Sequence, residues 1–105
     1  MMRGNMGNMQ GMMKQMQKMQ KQVEETQAQI NATQFTGAAA NELVLVTMTG
    51  DKKVVDVAIK PEAVDPDDVE MLQDLILMAT NAALEKIDVE TKAKLGKFAN
   101  AMPNF

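Results

Sequence analysis

The chain has 105 residues, 46% of them hydrophobic and 24% charged, which is the balance of one small globular domain spanning 1–105. It contains no Cys, His, Trp, Tyr or Ser, and Arg3 is its single arginine. Those absences exclude Ser-His and Cys-His nucleophile pairs, a His general base, Cys/His zinc sites and disulfides, so no catalytic residue, metal or cofactor is expected.

The net charge of −3 is unevenly spread. Residues 1–22 carry Arg3, Lys14, Lys18 and Lys21 and no acid. Residues 23–91 hold all 14 acids against four lysines, and residues 92–105 add Lys92, Lys94 and Lys97 with no acid. Two basic ends on an acidic middle read either as ordinary solvated helix faces or as surfaces that seek phosphate. No apolar run has the length of a signal peptide or a membrane span, so a cytoplasmic protein with no membrane partner is expected.

The first periodic element runs from Asn8 to Asn31. Met9, Met12, Met16, Met19, Val23 and Ile30 recur at steps of three and four, with Thr26 in the remaining place, over a background of Gln, Lys and Glu. This is a narrow helical seam of the coiled-coil kind. Glycines at 4 and 7 predict a frayed segment over 1–7. Three strands follow. The weakest covers Thr33 to Ala38; Glu42–Thr49 and Lys53–Lys60 are rich in Val, Leu, Ile and Thr. Gly50-Asp51 suits a two-residue hairpin with Gly in the first central position. That register puts Val44, Val46 and Met48 beside Val55 and Val57, and Leu43, Leu45, Val54 and Ala58 on the other face.

Asp65-Pro66-Asp67-Asp68 predicts a helix start with Asp65 as N-cap and Pro66 at the first helical position. Val69, Leu72, Ile76, Ala79, Ala83 and Ile87 form its buried stripe, flanked by Leu75 and Ala82. The helix should pass Glu90 and reach Leu95, where Gly96 can end it, leaving a mobile tail over 98–105. The fold class is therefore α+β: α-β-β-β-α with a three-stranded antiparallel sheet and two long helices. A narrow seam cannot stand alone in water and a sheet with two apolar faces needs two covers, so a homodimer is the economical assembly.

Three constellations bear on function. Eight of the twelve methionines fall in residues 1–19. They can be read as the helix seam, as an adaptable groove for a protein partner, or as soft thioether ligands for Cu(I). Lys14, Lys18 and Lys21 share one helix face away from the Met seam. Cations in the first half of a helix oppose its dipole, and with no acid near them they call for an external anion, phosphate above all. Lys92, Lys94 and Lys97 suit the end of the last helix, where they complement the dipole. The acids of 65–70 lack EF-hand spacing and read as a helix cap. No Gly-rich phosphate loop is present, so no small-molecule substrate is expected.

The segments MMKQMQKMQKQVEE (12–25), VDPDDVEMLQDLILMATNAALEKID (64–88) and MPNF (102–105) resemble the YbaB/EbfC family of small bacterial nucleoid-associated, DNA-binding proteins. The resemblance covers nearly the whole chain in the same order. Relatives often have a Gly-rich turn where this chain has Ala38-Ala39-Ala40-Asn41, and a basic residue near Leu45. The resemblance implies a tweezer-like homodimer that binds double-stranded DNA with little sequence preference and organises the nucleoid or modulates gene expression. It places the DNA contacts on the helical arms, near Arg3, Lys14, Lys18, Lys21, Lys92, Lys94 and Lys97. The dimer interface is expected at Leu43, Leu45, Val54, Met9, Met12, Met16 and Met19. The rival reading is a dimeric scaffold or chaperone-like module whose Met-lined arms grip protein, and salt dependence separates the two.

Overall fold

The computed structural model describes the backbone of residues 2–101 and the side chains of residues 9–98. The elements run α1 (Met2–Ala32), β1 (Gln34–Ala38), a 3-10 turn at Ala40–Glu42, β2 (Val44–Thr49), β3 (Val54–Ile59), a second 3-10 turn at Pro61–Ala63, and α2 (Val69–Ala101). The expected α-β-β-β-α order with a three-stranded antiparallel sheet is borne out, in the order β1-β2-β3. The frayed 1–7 segment and the mobile 98–105 tail were expected on residues that lie almost wholly outside the described side chains.

The core forms where α2 crosses β1 and β2. Leu75, Ala79, Ala83 and Ile87 meet Phe35, Val44, Val46 and Met48, and all are buried. Steps of four make this a single ridge, and its two central alanines keep it low. The low ridge lets the sheet come close. A Cβ on Gly37 would overlap the backbone of Ala79 and Ala83, so only glycine fits at this point of β1. Leu72 and Ile76, expected in the buried stripe, are only half-buried at the edge of the core, and Leu75 is central rather than flanking. Val69, expected in the stripe, is 55% exposed because it is the first helical residue, ahead of the sheet.

Several local expectations are corrected. The N-cap of α2 is Asp68, not Asp65: the Asp68 carboxylate accepts from the Met71 N–H at 3.2 Å. Asp65 instead closes a turn around Pro66, accepting from the backbone N–H of Asp67 at 2.9 Å on its side chain and of Asp68 at 3.0 Å on its carbonyl. Gly96 does not end α2, which continues to Ala101; no glycine among the described residues adopts the positive φ that a glycine stop requires.

The β2–β3 hairpin is also built differently. Thr49 accepts from Lys52 N–H at 2.8 Å and donates to Lys53 carbonyl at 2.9 Å, and Lys52, at φ 68°, takes the left-handed position. Gly50 is required for a different reason. Its Cβ would collide with the carbonyl of Ile30 at the end of α1, and its N–H donates to Thr33 at 3.0 Å. Just before β2, Leu43 has helical φ/ψ (−64°, −30°) as it leaves the 3-10 turn. The strand alternation therefore starts only at Val44, and Leu43 packs against the core instead of on the far face. A register shift at Thr47/Met48 pairs Met48 with Val54, so Val54 joins the Met48 face rather than that of Leu45.

Candidate nucleic-acid interface

α1 enters the sheet with only Thr33 between its last residue and β1, and Ile30 at its end is buried. α2 runs antiparallel to it, leaves the sheet and continues along α1. Met19, Gln22, Glu25, Thr26 and Gln29 from α1 and Lys97 and Phe98 from α2 line one open cleft of about 480 Å³ between the two helices. Val23 and Thr26 are half-buried on the side of α1 that carries Ile30. The predicted seam thus finds a partner from Met19 to Ile30. Further toward the N-terminus, Met9, Met12, Met13 and Met16 are 59–64% exposed. The molecule is long in consequence, with extents of 80 × 20 × 16 Å.

The lysines predicted as DNA contacts fall into three groups. Lys14, Lys18 and Lys21 are exposed on α1 in the segment that carries no acid. At about 100° per residue they lie within roughly 60° of one another, and roughly 160° from the centre of the Met9/Met12/Met13/Met16 face. Lys94 and Lys97 are exposed on the last turns of α2, with the Lys97 ammonium 5.0 Å from the centre of the Phe98 ring. The pairing of the two helices therefore brings Lys97 beside the α1 residues that flank Lys21. Lys92 differs: its ammonium pairs with Asp88 at 3.1 Å one turn back. Arg3 lies outside the described side chains.

Sequence reading overlooked two features. Lys86 donates to the Thr36 carbonyl at 2.6 Å and so fastens α2 to the β1 edge. More important, β3 is exposed along its whole length: Val54, Val55, Val57 and Ile59 are 54%, 51%, 46% and 39% exposed. Its near-continuous apolar run was the available signal, since an uncovered edge strand in a monomer is ordinarily charged or interrupted. Elsewhere the electrostatics are mild. The Asp51 carboxyl is held below its usual range, chiefly because it accepts from the Thr49 hydroxyl and secondarily because Lys53 stands at 3.8 Å. Among the described residues no group of three or more acids is placed to hold a metal ion, and no helix is long and apolar enough to cross a membrane.

Two long antiparallel helices on a three-stranded sheet, with lysines gathered at the far end of the helix pair, define a small α+β protein with a basic helical extension. The chain belongs to the YbaB/EbfC DNA-binding family, whose model matches residues 6–102. It is 57% identical over all 105 residues, the full length of both chains, to a nucleoid-associated protein of Enterococcus faecalis. It is 53% identical to one of Pediococcus pentosaceus over 97% of this chain and 98% of that one. A nucleoid-associated protein of Bacillus licheniformis is 56% identical over 96% of this chain and 94% of its own. The fold matches the crystal structure of an uncharacterised Helicobacter pylori protein with a TM-score of 0.69 and 18% identity, covering 84% of this chain and 92% of that one.

Proposed function

We propose that the protein is a homodimeric, non-enzymatic component of the bacterial nucleoid that binds double-stranded DNA with little sequence preference. One observation carries the reading. Lys14, Lys18 and Lys21 share one exposed face in the acid-free part of α1, ahead of Glu24 and Glu25 and away from the acidic body, in a chain of a DNA-binding family. The names of relatives 53–57% identical over nearly their whole length support the nucleoid role. With one arginine and no Trp or Tyr, the chain is poorly supplied for reading base edges or stacking on single strands. The exposed apolar β3, together with Leu45 on the far face, supports a second copy as the cover for the sheet.

Phosphate contacts release counterions, so binding through these lysines weakens steeply with salt. With about six contacts the slope of log K against log salt should be near −5. Gel shifts on random duplexes across a salt series test this. Changing Lys14, Lys18 and Lys21 together to Gln should lower affinity on every sequence alike and flatten the slope. Changing Lys94 and Lys97 should do so to a lesser degree, and Lys92 least of all, because Asp88 already neutralises it. Triple-Gln protein that folds normally and keeps an undiminished slope removes the arm from the DNA site. Wild-type protein with no salt-sensitive binding transfers the arms to a protein partner.

A further inference from the structure

The apolar stripe of α1 changes status partway along. From Met19 to Ile30 it runs alongside α2; Met9, Met12, Met13 and Met16 continue the same stripe with about three-fifths of their surface in water. The cover is lost because α2 runs out. Lys97 and Phe98 share a cleft with Met19 and Gln22, and the helix continues only to Ala101, about one turn further, which brings its end beside Met16. Met102-Pro103-Asn104-Phe105 follow, so the chain leaves α2 where the bare stripe begins. Their composition suits that stripe. Pro103 lacks the N–H a helix needs and turns Met102 away from helical φ/ψ, which favours an extended, polyproline-like path. On such a path residues three apart share a side, so Met102 and Phe105 point one way, about 9 Å apart. The stripe from Met9 to Met16 is about 10 Å long.

We infer that residues 102–105 lie along the Met face of α1 in the same chain, with Met102 on Met16 and the Phe105 ring on Met9 and Met12. Thioethers at the edge of an aromatic ring make favourable contacts of this kind. The apolar groove of Phe35, Ala82, Val89 and Ala93 beside α2 is out of the segment's reach. Val89 lies about 18 Å back along α2 from Ala101, whereas four extended residues span at most about 14 Å. Lys14, Lys18 and Lys21 stand almost opposite the Met face, so the segment leaves them open. The arm is then a helix whose apolar side is covered by its own chain and whose basic side faces water. This assignment does not depend on the DNA-binding reading; it names what covers the seam that the end of α2 leaves bare.

The chain has no native tryptophan or cysteine, which gives a clean background for two tests. Phe105→Trp should emit at shorter wavelength than a solvent-exposed indole. Adding Met9→Gln/Met12→Gln/Met16→Gln should return the emission to that of an exposed indole with circular dichroism unchanged, while adding Lys14→Gln/Lys18→Gln/Lys21→Gln should leave it where it was. Separately, Met12→Cys/Asn104→Cys protein is treated with a short bis-maleimide. It should close within one chain about tenfold faster than Lys14→Cys/Asn104→Cys, because proximity sets the effective concentration. The product should run at the mass of a single chain at every protein concentration. Exposed-indole emission from Phe105→Trp, emission unmoved by the Met changes, or equal rates for the two cysteine pairs overturns the inference. So does a product containing two chains, which would give the segment to a second copy. Closure of Asn104→Cys with Val89→Cys faster than with Met12→Cys overturns it as well, by seating the segment in the groove beside α2.

Discussion

β2 and β3 lie side by side in one sheet, each six residues long and both dominated by aliphatic and β-branched residues. Val46 and Val57 are direct cross-strand partners, yet Val46 is 1% exposed and Val57 46%. The difference comes from α2, which crosses β1 and β2 and stops short of β3. Hydrophobicity alone does not say whether a strand belongs to the core of one chain or to a surface between two. The position of the covering helix decides it, and that position follows from the low Ala79/Ala83 ridge and the close approach at Gly37. What α2 leaves open is a strip of apolar surface that a single chain cannot bury.

Substituting that one cross-strand pair breaks the comparison most directly. Val46→Asp places a charge in the core without a partner, at a cost of roughly 3–5 kcal/mol or more, and should leave the chain unfolded in thermal melts. Val57→Asp should keep the circular dichroism of the folded chain but shift sedimentation toward the monomer. If both variants unfold alike, β3 is core and not interface. A smaller effect is expected where the ridge meets the sheet. Gly37→Ala forces a methyl onto the α2 backbone and should cost about 2–3 kcal/mol in denaturant unfolding. Gly96→Ala meets nothing within 4 Å inside a helix and should instead stabilise by about 0.5–1 kcal/mol.

Much of this organisation is legible in the sequence, and the misses have a common cause. Element types and order follow from periodicities of 3.6 and 2, and the lysine face of α1 from steps of four and three. The family resemblance rests on the same segments. Misread features are those fixed by contacts between distant residues. Gly50 reads as a turn glycine until Ile30 is seen beneath it, and Gly96 reads as a stop until the helix is seen to have no use for one. The cap shows the same limit locally: Asp65 and Asp68 are chemically equal candidates, and the turn at Pro66 chooses between them. Asp68→Ala should cost about 1 kcal/mol and Asp65→Ala less, measured by thermal unfolding. Among the candidate site residues, the pairing of Lys92 with Asp88 was legible as a spacing of four on an expected helix and was overlooked, whereas the exposure of β3 depends on where α2 lies.

The smallest effect belongs to the hairpin tip. Because the folded state lowers the Asp51 pKa, its contribution is present above the unfolded carboxylate value of 3.8 and is lost as pH falls through the lower folded value. Asp51→Asn should therefore melt slightly below wild type near neutrality, with the two converging below about pH 4. A difference that persists into acid would assign the effect to the turn backbone rather than to the charge.

The junction at Thr33 has a mechanical consequence. Its N–H donates to both Gln29 and Ile30 at 3.1 Å, its hydroxyl to Gln29 at 2.7 Å, and its carbonyl accepts from Gly50 at 3.0 Å. The helix is thus bolted to the sheet at one residue, with no flexible linker between them. From Ala32 to Met9 the arm is a lever about 35 Å long, so a tilt of only about 10° at the bolt would carry its tip some 6 Å, roughly. Fine differences in how the sheet seats Gly50 are then magnified into the positions of Lys14, Lys18 and Lys21 far along the arm. A mutation at the bolt should therefore move those lysines relative to the sheet without changing any of them.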